Sequence, residues 1–359
     1  MKFPLLAKYS LALLLGVGVC LPVTAGAQTK TTAKPASTQK PASKPTAKPA
    51  AKKPAAKPTY SNTAAAQRKA RLARAQAAAR AREQARLKQL QEAMTPRYKT
   101  DSNGLIVPDV RAAAAIIFNP ETGEVLWEEN SQVKRSIASI TKVMTAVVLL
   151  EDDPDLSRVV TVQRSDVYAA SVTHLRAGDR ISLDNLLHLT LIASDNAAAR
   201  VIARESHGGA AAFIERMNEK AIELGLDSST FADPSGLNPN NISSAYDLSR
   251  LISFAAADER IAPIMLMKTY ALAVNGRRVS VNNTNRMVRE GDVGVLGGKT
   301  GFISKAGHCL ATLLRLPHSD QQVAVVVLGA ASNPGRFYET RHLFNWLSDK
   351  AGDILSKEQ

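Results

Sequence analysis

No Leu, Ile, Val, Phe, Met or Trp occurs between residues 28 and 60, and only four such residues occur from there to residue 100. A segment this poor in apolar side chains cannot bury enough surface to offset the entropy of ordering its backbone. Residues 28–100 carry 18 Lys and Arg against two Asp and Glu, whereas residues 101–359 carry 26 against 30. We therefore predict a disordered Lys/Ala/Pro-rich tail at 28–60 and a folded domain at 104–356.

Residues 1–27 have the pattern of a secretory signal peptide. A lysine-containing start precedes the apolar run Tyr9–Val23, and the small residues Ala25–Ala27 offer a cleavage site before Gln28. A retained membrane anchor is the alternative, but the apolar run is short for a span of about 20 residues and is interrupted by Pro22. We expect an exported, periplasmic protein that is soluble or loosely attached to the envelope.

The order of apolar patterns from residue 104 onward predicts a mixed α/β (α+β) fold. Strand patterns stand at both ends, and mainly helical patterns lie between them, which favours one sheet covered by helices over a repeating βαβ arrangement. The predicted strands are Ala112–Phe118, Glu124–Trp127, Tyr270–Val281 with a turn at Asn275-Gly276, Gly307–Leu316 and Gln321–Leu328. The predicted helices cover parts of Ile137–Asp258 and a closing segment, Arg336–Leu355.

Three short polar patterns follow one another along this domain. Ser139-Ile-Thr-Lys142 comes first, Ser194-Asp-Asn196 follows it, and Lys299-Thr-Gly301 comes last. Each pattern alone is weak, because Ser37–Lys40 in the tail and Ser280–Asn282 match the first two. The ordered set of three is the one found in class A β-lactamases and penicillin-binding proteins.

The residue types in these patterns suit acyl transfer. A serine hydroxyl attacks a carbonyl when a neighbouring base removes its proton, and Lys142 lies on the same helix face as Ser139. Lysine becomes such a base when desolvation and a second cation, here Lys299, lower its pKa. Ser194 is a candidate proton relay to the leaving amine, and Asn196 is a candidate partner for a substrate amide.

The third pattern suits substrate binding. Lys299 is a candidate partner for a substrate carboxylate, Thr300 adds a hydroxyl, and Gly301 leaves room for a substrate along the strand. The Ser139 N–H at a helix N-terminus is a candidate oxyanion donor. Each residue alone also fits a structural role as a cap, a solvated charge or a strand end, but the joint occurrence favours catalysis.

Cofactor and metal chemistry have no support in the sequence. The six histidines are scattered, without metal-binding spacing. Cys309 lies in an apolar run that predicts a buried strand, and we interpret it as an inert core thiol. We therefore expect neither a metal nor a cofactor.

The segment from about Ala113 to Trp346 resembles the low-molecular-mass class C penicillin-binding proteins. These are the serine D-Ala-D-Ala carboxypeptidases and endopeptidases of peptidase family S11. The resemblance implies a transpeptidase fold like that of penicillin-binding proteins and β-lactamases, with an antiparallel sheet flanked by helices and a helical subdomain. The phrases that carry it are Ile137–Ala146, Ser194–Ala198, Asn283–Asn285 and Lys299–Leu310.

The resemblance also implies a role for each matching residue, and it implies peptidoglycan peptide stems and β-lactam antibiotics as ligands. The implied roles are acyl-enzyme nucleophile for Ser139, proton acceptor for Lys142, opposite cleft wall for Ser194 and Asn196, carboxylate binding for Lys299 and Thr300, and second oxyanion donor for the Phe302 N–H.

The segment from Phe302 to Gln359 has room for two strands and a helix, whereas larger family members carry a second, β-rich domain after the catalytic one. The chain therefore resembles the shorter branch of murein DD-endopeptidases, which cut D-Ala–diaminopimelate cross-links. The same groups serve a carboxypeptidase, so both activities remain open.

Three rival classes of protein share parts of this pattern. A class A β-lactamase needs a further glutamate to activate the deacylating water, and Ser228–Asn241 contains none. A nucleotide-binding P-loop fails because Gly294–Thr300 is one residue too short. A non-catalytic penicillin-binding wall protein remains an alternative, although the complete motif set argues against it.

The basic segment suits a polyanion. Residues 61–100 are rich in Ala, Arg and Gln, which predicts a basic helix or linker. Because export separates the protein from nucleic acid, we expect an anionic wall polymer or the membrane surface as its partner. A spacer role is the alternative.

Overall fold

The computed structural model describes residues 62–317 and 319–357. The predicted signal at 1–27 and the predicted disordered tail at 28–60 lie outside these residues. Within the described part, no helix is both long enough and apolar enough to cross a membrane.

Ten α-helices and thirteen strands make up the regular structure of the described residues. The helices are α1 (Asn62–Met94), α2 (Thr141–Glu151), α3 (Arg164–Val167), α4 (Leu183–Ile192), α5 (Asn196–Glu205), α6 (Gly209–Glu223), α7 (Ala245–Ala257), α8 (Ala262–Leu266), α9 (Arg286–Glu290) and α10 (Asn333–Lys357). The strands are β1 (Tyr98–Thr100), β2 (Ile106–Pro108), β3 (Ala114–Phe118), β4 (Val125–Glu129), β5 (Arg135–Ser136), β6 (Val159–Thr161), β7 (Arg180–Ser182), β8 (Ile242–Ser243), β9 (Thr269–Val274), β10 (Arg277–Asn282), β11 (Val295–Ile303), β12 (Gly307–Arg315) and β13 (Gln322–Ala330).

The central sheet has five antiparallel strands in the order β11-β12-β13-β3-β4. The strands predicted at Ala112–Phe118 and Glu124–Trp127 pair as the hairpin β3–β4, and the turn predicted at Asn275-Gly276 joins β9 to β10. Strand β11 stands at one edge, where the outer backbone groups of an edge strand have no neighbouring strand. This free edge borders the site described below.

Both faces of the sheet are covered. In β3, Ile116 belongs to the apolar cluster formed with the helical subdomain, whereas Ile117 belongs to the cluster formed with α10. This alternation is the two-residue period of a strand with two buried faces. The sheet is therefore the middle layer between α10 and the helices α2 to α8.

Helix α2 is surrounded by protein on every side. All residues from Thr141 to Leu150 are buried, including Lys142 and Thr145. Thr145 Oγ1 donates a hydrogen bond to Pro234 O at 2.7 Å, so its hydroxyl is satisfied in the core. A helix that is buried all round explains why its sequence is an apolar run without a polar face.

Ordered structure starts ahead of residue 104. Strand β1 pairs with β2, and the carbonyl of Arg97 lies 2.8 Å from His342 Nε2 of α10. Helix α1 precedes this ribbon, and its side chains from Ala65 to Gln89 are all exposed. Its helical state therefore rests on the high helix propensity of Ala, Arg and Gln rather than on packing.

The two-sided burial of β3 makes a prediction about stability. Ile116→Ala and Ile117→Ala should each lower the free energy of unfolding by about 2 to 5 kcal/mol, because each leaves a cavity in a different core cluster. The double variant should lose more than either single variant, since it leaves a cavity on each face of the sheet.

Denaturant unfolding measures these losses. Ile222→Ala is the matched control, because Ile222 is 79% exposed and its replacement should change stability by less than about 0.5 kcal/mol. A near-zero effect at either Ile116 or Ile117 would contradict the layer arrangement.

Candidate active site

A cleft of about 430 Å³ lies between the free edge of β11 and the helical subdomain. Most of the predicted site residues line it. The predicted residues in its lining are Ser139, Ser194, Asn196, Thr300, Gly301 and Phe302. Lys142 and Lys299 are fully buried, and their ammonium groups contact Ser139 and Ser194 of the cleft lining. The structure therefore brings all eight predicted residues to one place.

Ser139 sits in a 3-10 turn, Ala138–Ile140, that continues directly into α2. Lys142 Nζ lies 3.0 Å from Ser139 Oγ and 2.6 Å from Asn196 Oδ1, and it also donates to Ser235 O. A charged ammonium has three donors for these three oxygens. A neutral amine keeps two donors and gains a lone pair, which then faces the serine hydroxyl.

Burial sets the protonation state of Lys142. Desolvation lowers the pKa of Lys142 to about 7, with a smaller lowering by the charge of Arg200, while Asp195 and Asp233 act in the opposite direction. Burial and the charges of Lys142 and Arg336 hold the pKa of Lys299 well below its usual value. The charge of Lys142 thus acts on Lys299, whereas the cation that helps to lower the pKa of Lys142 is Arg200, which the sequence did not indicate, and not Lys299 as expected.

The second motif forms the opposite wall. Lys299 Nζ donates to Ser194 Oγ at 2.8 Å and to Thr300 O at 3.0 Å. Asn196 Nδ2 donates to Ala170 O at 2.7 Å, which turns its amide oxygen toward Lys142. The first two motifs therefore meet through one hydrogen-bonded chain from Ser139 to Asn196.

Backbone strain flanks both serines. Ala138, directly before the first serine, has φ of +49°, and Ser194 has φ of +57°. Residues other than glycine adopt this left-handed region at a cost, and such strain is held where the surrounding structure fixes it, often at functional sites. The packing around the cleft therefore holds Ala138 and Ser194 in conformations that an unconstrained chain would avoid.

The third motif approaches the nucleophile turn closely. A Cβ at Gly301 would stand 2.6 Å from Ile137 O, so only glycine allows β11 to pass this turn. The hydroxyl groups of Thr300 and Thr284 form a hydrogen bond, with 2.7 Å between their Oγ1 atoms. The Phe302 ring is 53% exposed at the cleft and stacks on His308, with ring centroids 4.3 Å apart.

The loop Asp233–Leu237 is a part of the site that the sequence analysis missed. The Asp233 carboxylate accepts from the backbone N–H groups of Ser235 and Gly236, both at 2.6 Å, and this turn presents Ser235 O to Lys142. Gly236 has φ of +81°, and a Cβ there would lie 2.0 Å from Ala138 O. The phrase Asp-Pro-Ser-Gly is a turn signal that points to this loop.

Arg336 is a second residue that the sequence did not indicate. It lines the cleft, although it is largely buried, and it donates to Gly301 O at 3.0 Å and to Cys309 O at 3.1 Å. Burial lowers the pKa of Arg336 to about 10. Its Nε has no hydrogen-bond partner in the described residues. Nothing in the sequence pattern at the start of the closing helix marks this arginine as a residue of the cleft.

Two other groups have no reactive geometry. Cys309 is buried in β12, and burial raises the pKa of its thiol, so it is not a nucleophile at neutral pH. Across the described residues, no cluster of three His, Cys, Asp or Glu side chains is arranged to hold a metal ion.

Comparison with known proteins agrees with this geometry. The model of the family described as D-alanyl-D-alanine carboxypeptidase, peptidase S11, matches residues 101–332. A D-alanyl-D-alanine endopeptidase of Pseudomonas aeruginosa is 32% identical, and the match covers 67% of this chain and 78% of the relative. An Escherichia coli D-alanyl-D-alanine endopeptidase is 30% identical with the same coverage of both chains.

A solved structure shares the fold. The crystal structure of the Streptomyces K15 DD-transpeptidase is 27% identical with a TM-score of 0.63, and the match covers 67% of this chain and 98% of that chain. The predicted mixed fold, with an antiparallel sheet flanked by helices, is thereby confirmed. From the family match and these relatives, the chain belongs to the peptidase S11 family of D-alanyl-D-alanine carboxypeptidases.

Proposed function

We propose that this protein is a serine DD-peptidase of peptidoglycan that forms an acyl-enzyme on Ser139. The observation that carries the proposal is the contact of Ser139 Oγ with a fully buried Lys142, whose pKa is lowered to about 7. An amine whose pKa lies near 7 and that contacts a serine hydroxyl is a suitable general base.

Acylation follows from this arrangement. Neutral Lys142 takes the proton of Ser139 Oγ as the oxygen attacks the substrate carbonyl carbon, and a tetrahedral oxyanion forms. The oxyanion accepts hydrogen bonds from the N–H groups of Ser139 and Phe302. The C–N bond then breaks, and the leaving amine receives a proton through Ser194, which Lys299 contacts at 2.8 Å. The remaining acyl group is an ester on Ser139.

Deacylation reverses the roles of the same groups. Lys142 has already returned the proton taken at acylation to the leaving amine through Ser194, so it is neutral again. Water attacks the ester carbonyl while Lys142 accepts its proton, the C–O bond to Ser139 breaks, and Lys142 gives this proton to Ser139 Oγ, which restores the serine hydroxyl and the starting charges. The net reaction is hydrolysis of one amide bond.

Substrate binding uses the end of the cleft where basic side chains gather. Lys299, Thr300 and Arg336 lie at this end, and Lys299 Nζ and Thr300 Oγ1 are the donors next to the cleft. A carboxylate of the D-amino acid at the scissile bond fits this charge, and Asn196 supplies an amide to the peptide backbone. We assign D-Ala–diaminopimelate cross-links as substrate, because the chain resembles the shorter DD-endopeptidase branch, and the names of the two relatives above, D-alanyl-D-alanine endopeptidase, support an endopeptidase.

A carboxypeptidase is the second candidate. An Escherichia coli D-alanyl-D-alanine carboxypeptidase is 32% identical to this chain over 252 residues. Digestion of purified muropeptides separates the two activities. Conversion of cross-linked dimers to monomers supports the endopeptidase, and release of terminal D-Ala without loss of dimers supports the carboxypeptidase.

β-Lactams should acylate Ser139 and remain attached. The loop after the second motif lacks a glutamate, and its Asp233 carboxylate already accepts hydrogen bonds from Ser235, Gly236 and Asn238. This carboxylate therefore holds the loop in place. It is not free to activate the deacylating water, which is what a β-lactamase requires of its glutamate.

The location of the protein and the role of its basic segment are part of the proposal. We assign residues 1–27 to export into the periplasm and residues 104–356 to catalysis. The exposed cations of α1 suit an anionic wall polymer or the membrane surface.

Replacement of the nucleophile tests the proposal directly. Wild-type protein incubated with penicillin should gain one penicilloyl group by intact mass, and Ser139→Ala should gain none because it lacks the attacking oxygen. Ser280→Ala is the matched control, since Ser280 is an exposed serine of β10 outside the cleft, and this variant should be acylated at Ser139 like the wild type. Absence of a wild-type adduct would refute the mechanism.

The acylation rate should depend on pH through Lys142. Because the neutral amine is the active form and its pKa is about 7, the rate constant should rise about tenfold per pH unit below that value and level off above it. Stopped-flow acylation by a chromogenic cephalosporin measures this profile. A rate that is flat or falls as the pH rises through 7 would contradict the assignment of the base.

The basic segment should affect binding to the wall and not the chemistry. Deletion of residues 28–94 spares β1 and should leave cleavage of soluble muropeptides unchanged, while it weakens salt-sensitive binding to isolated sacculi. Pelleting assays at low and high salt measure the binding. Equal sacculus binding by the truncated and full-length proteins would instead favour the spacer role.

A further inference from the structure

The loop Ala169–Leu175 supports the side chain that contacts the general base. Asn196 N donates to Val172 O at 2.9 Å, and Asn196 Nδ2 donates to Ala170 O at 2.7 Å. These two bonds fix the amide whose oxygen accepts from Lys142. The position of the loop therefore affects the electrostatic surroundings of Lys142.

His174 joins this loop to the second motif through Asp195. The Asp195 side chain is fully buried, and its Oδ1 accepts from Ala198 N at 3.0 Å as the N-cap of α5. Its Oδ2 accepts from His174 N at 2.6 Å and lies 3.2 Å from His174 Nδ1. An ionised carboxylate only accepts hydrogen bonds, so Nδ1 carries the hydrogen. The imidazole is therefore a donor to a buried negative charge.

The other charges around His174 are already paired. Arg277 of β10 donates to His174 O at 3.2 Å, and its other nitrogen forms an ion pair with Asp179 at 2.8 Å. Asp179 also accepts from Arg176 N at 2.8 Å. Among these groups, Asp195 is the one that the imidazole contacts.

The charge of Asp195 reaches the general base. It raises the pKa of Lys142, together with Asp233, against the lowering by burial and by Arg200. The charge of Lys142 in turn lowers the pKa of Lys299. A donor on Asp195 reduces the negative potential at Lys142, because a hydrogen bond to a carboxylate offsets part of its charge.

We propose that His174, through its hydrogen bond to Asp195, is a positioning residue that limits the negative charge felt by Lys142 and so sets the pH range in which Ser139 is acylated. The inference rests on the proposed acyl-enzyme function. His174 does not touch the substrate in this account, since it acts through Asp195 and Lys142.

The pH profile of acylation tests this role. His174→Ala and the bulkier His174→Leu both remove the donor, and each should move the rising limb by about 0.5 to 1 pH unit toward alkaline pH. On that limb the rate constant at about pH 6 should fall about 3- to 10-fold, whereas the plateau at about pH 9 should be unchanged. His174→Asn should restore the wild-type limb, because its Nδ2 can donate where Nδ1 does.

Three comparisons decide the outcome. His207→Ala removes an exposed imidazole and should leave the profile unchanged. If wild type is not acylated at all, the proposed function itself fails. If wild type is acylated and the profile of a folded His174→Leu variant superimposes on it, or drops equally at every pH, the role proposed for His174 is overturned. His174→Leu keeps most of the side-chain volume, so it still tests the role of His174 if the alanine variant does not fold.

Discussion

The buried ammonium of Lys142 is the constraint on which the site depends. Placing an amine inside a fully enclosed helix costs free energy in its charged form, and the chain offsets that cost with three oxygen acceptors. One of these oxygens belongs to the nucleophile, one to the second motif, and one to the loop that follows it. The groups that make burial tolerable are therefore the same groups that make the lysine useful as a base.

Two glycines allow the rest of the fold to close around this centre. Gly301 lets the edge strand pass within contact of Ile137, and Gly236 lets the Asp233 loop press on Ala138. Both contacts involve the 3-10 turn that carries Ser139. The strained backbone at Ala138 and the placement of the nucleophile thus arise from packing on both sides of a single turn.

Much of this arrangement was accessible from the sequence. The three motifs pointed to Ser139, Asn196 and Lys299, because each of these residue types suits one chemical task. The order of the motifs along the chain also restricts the possible folds. The hairpin around Asn275-Gly276 was predictable because its turn chemistry is local.

The missed features depend on contacts between distant segments. Arg336 lies on α10 and reaches the cleft through its hydrogen bonds to backbone oxygens of β11 and β12. Arg200 acts on Lys142 through space, and Ser235 contributes a backbone oxygen, which any residue would supply. The ribbon β1–β2 was missed because its anchor, His342, lies in the closing helix at the other end of the domain.

The central claim is that burial lowers the pKa of Lys142 to about 7, so that a large fraction of the amine is neutral at neutral pH. An NMR titration of the Lys142 side chain, with its signal assigned by comparison with Lys142→Arg, measures this property without any substrate. The account predicts a midpoint near 7, well below the value of about 10.4 for an exposed lysine. A midpoint above about 9 would leave Lys142 charged at neutral pH and would contradict its assignment as the general base.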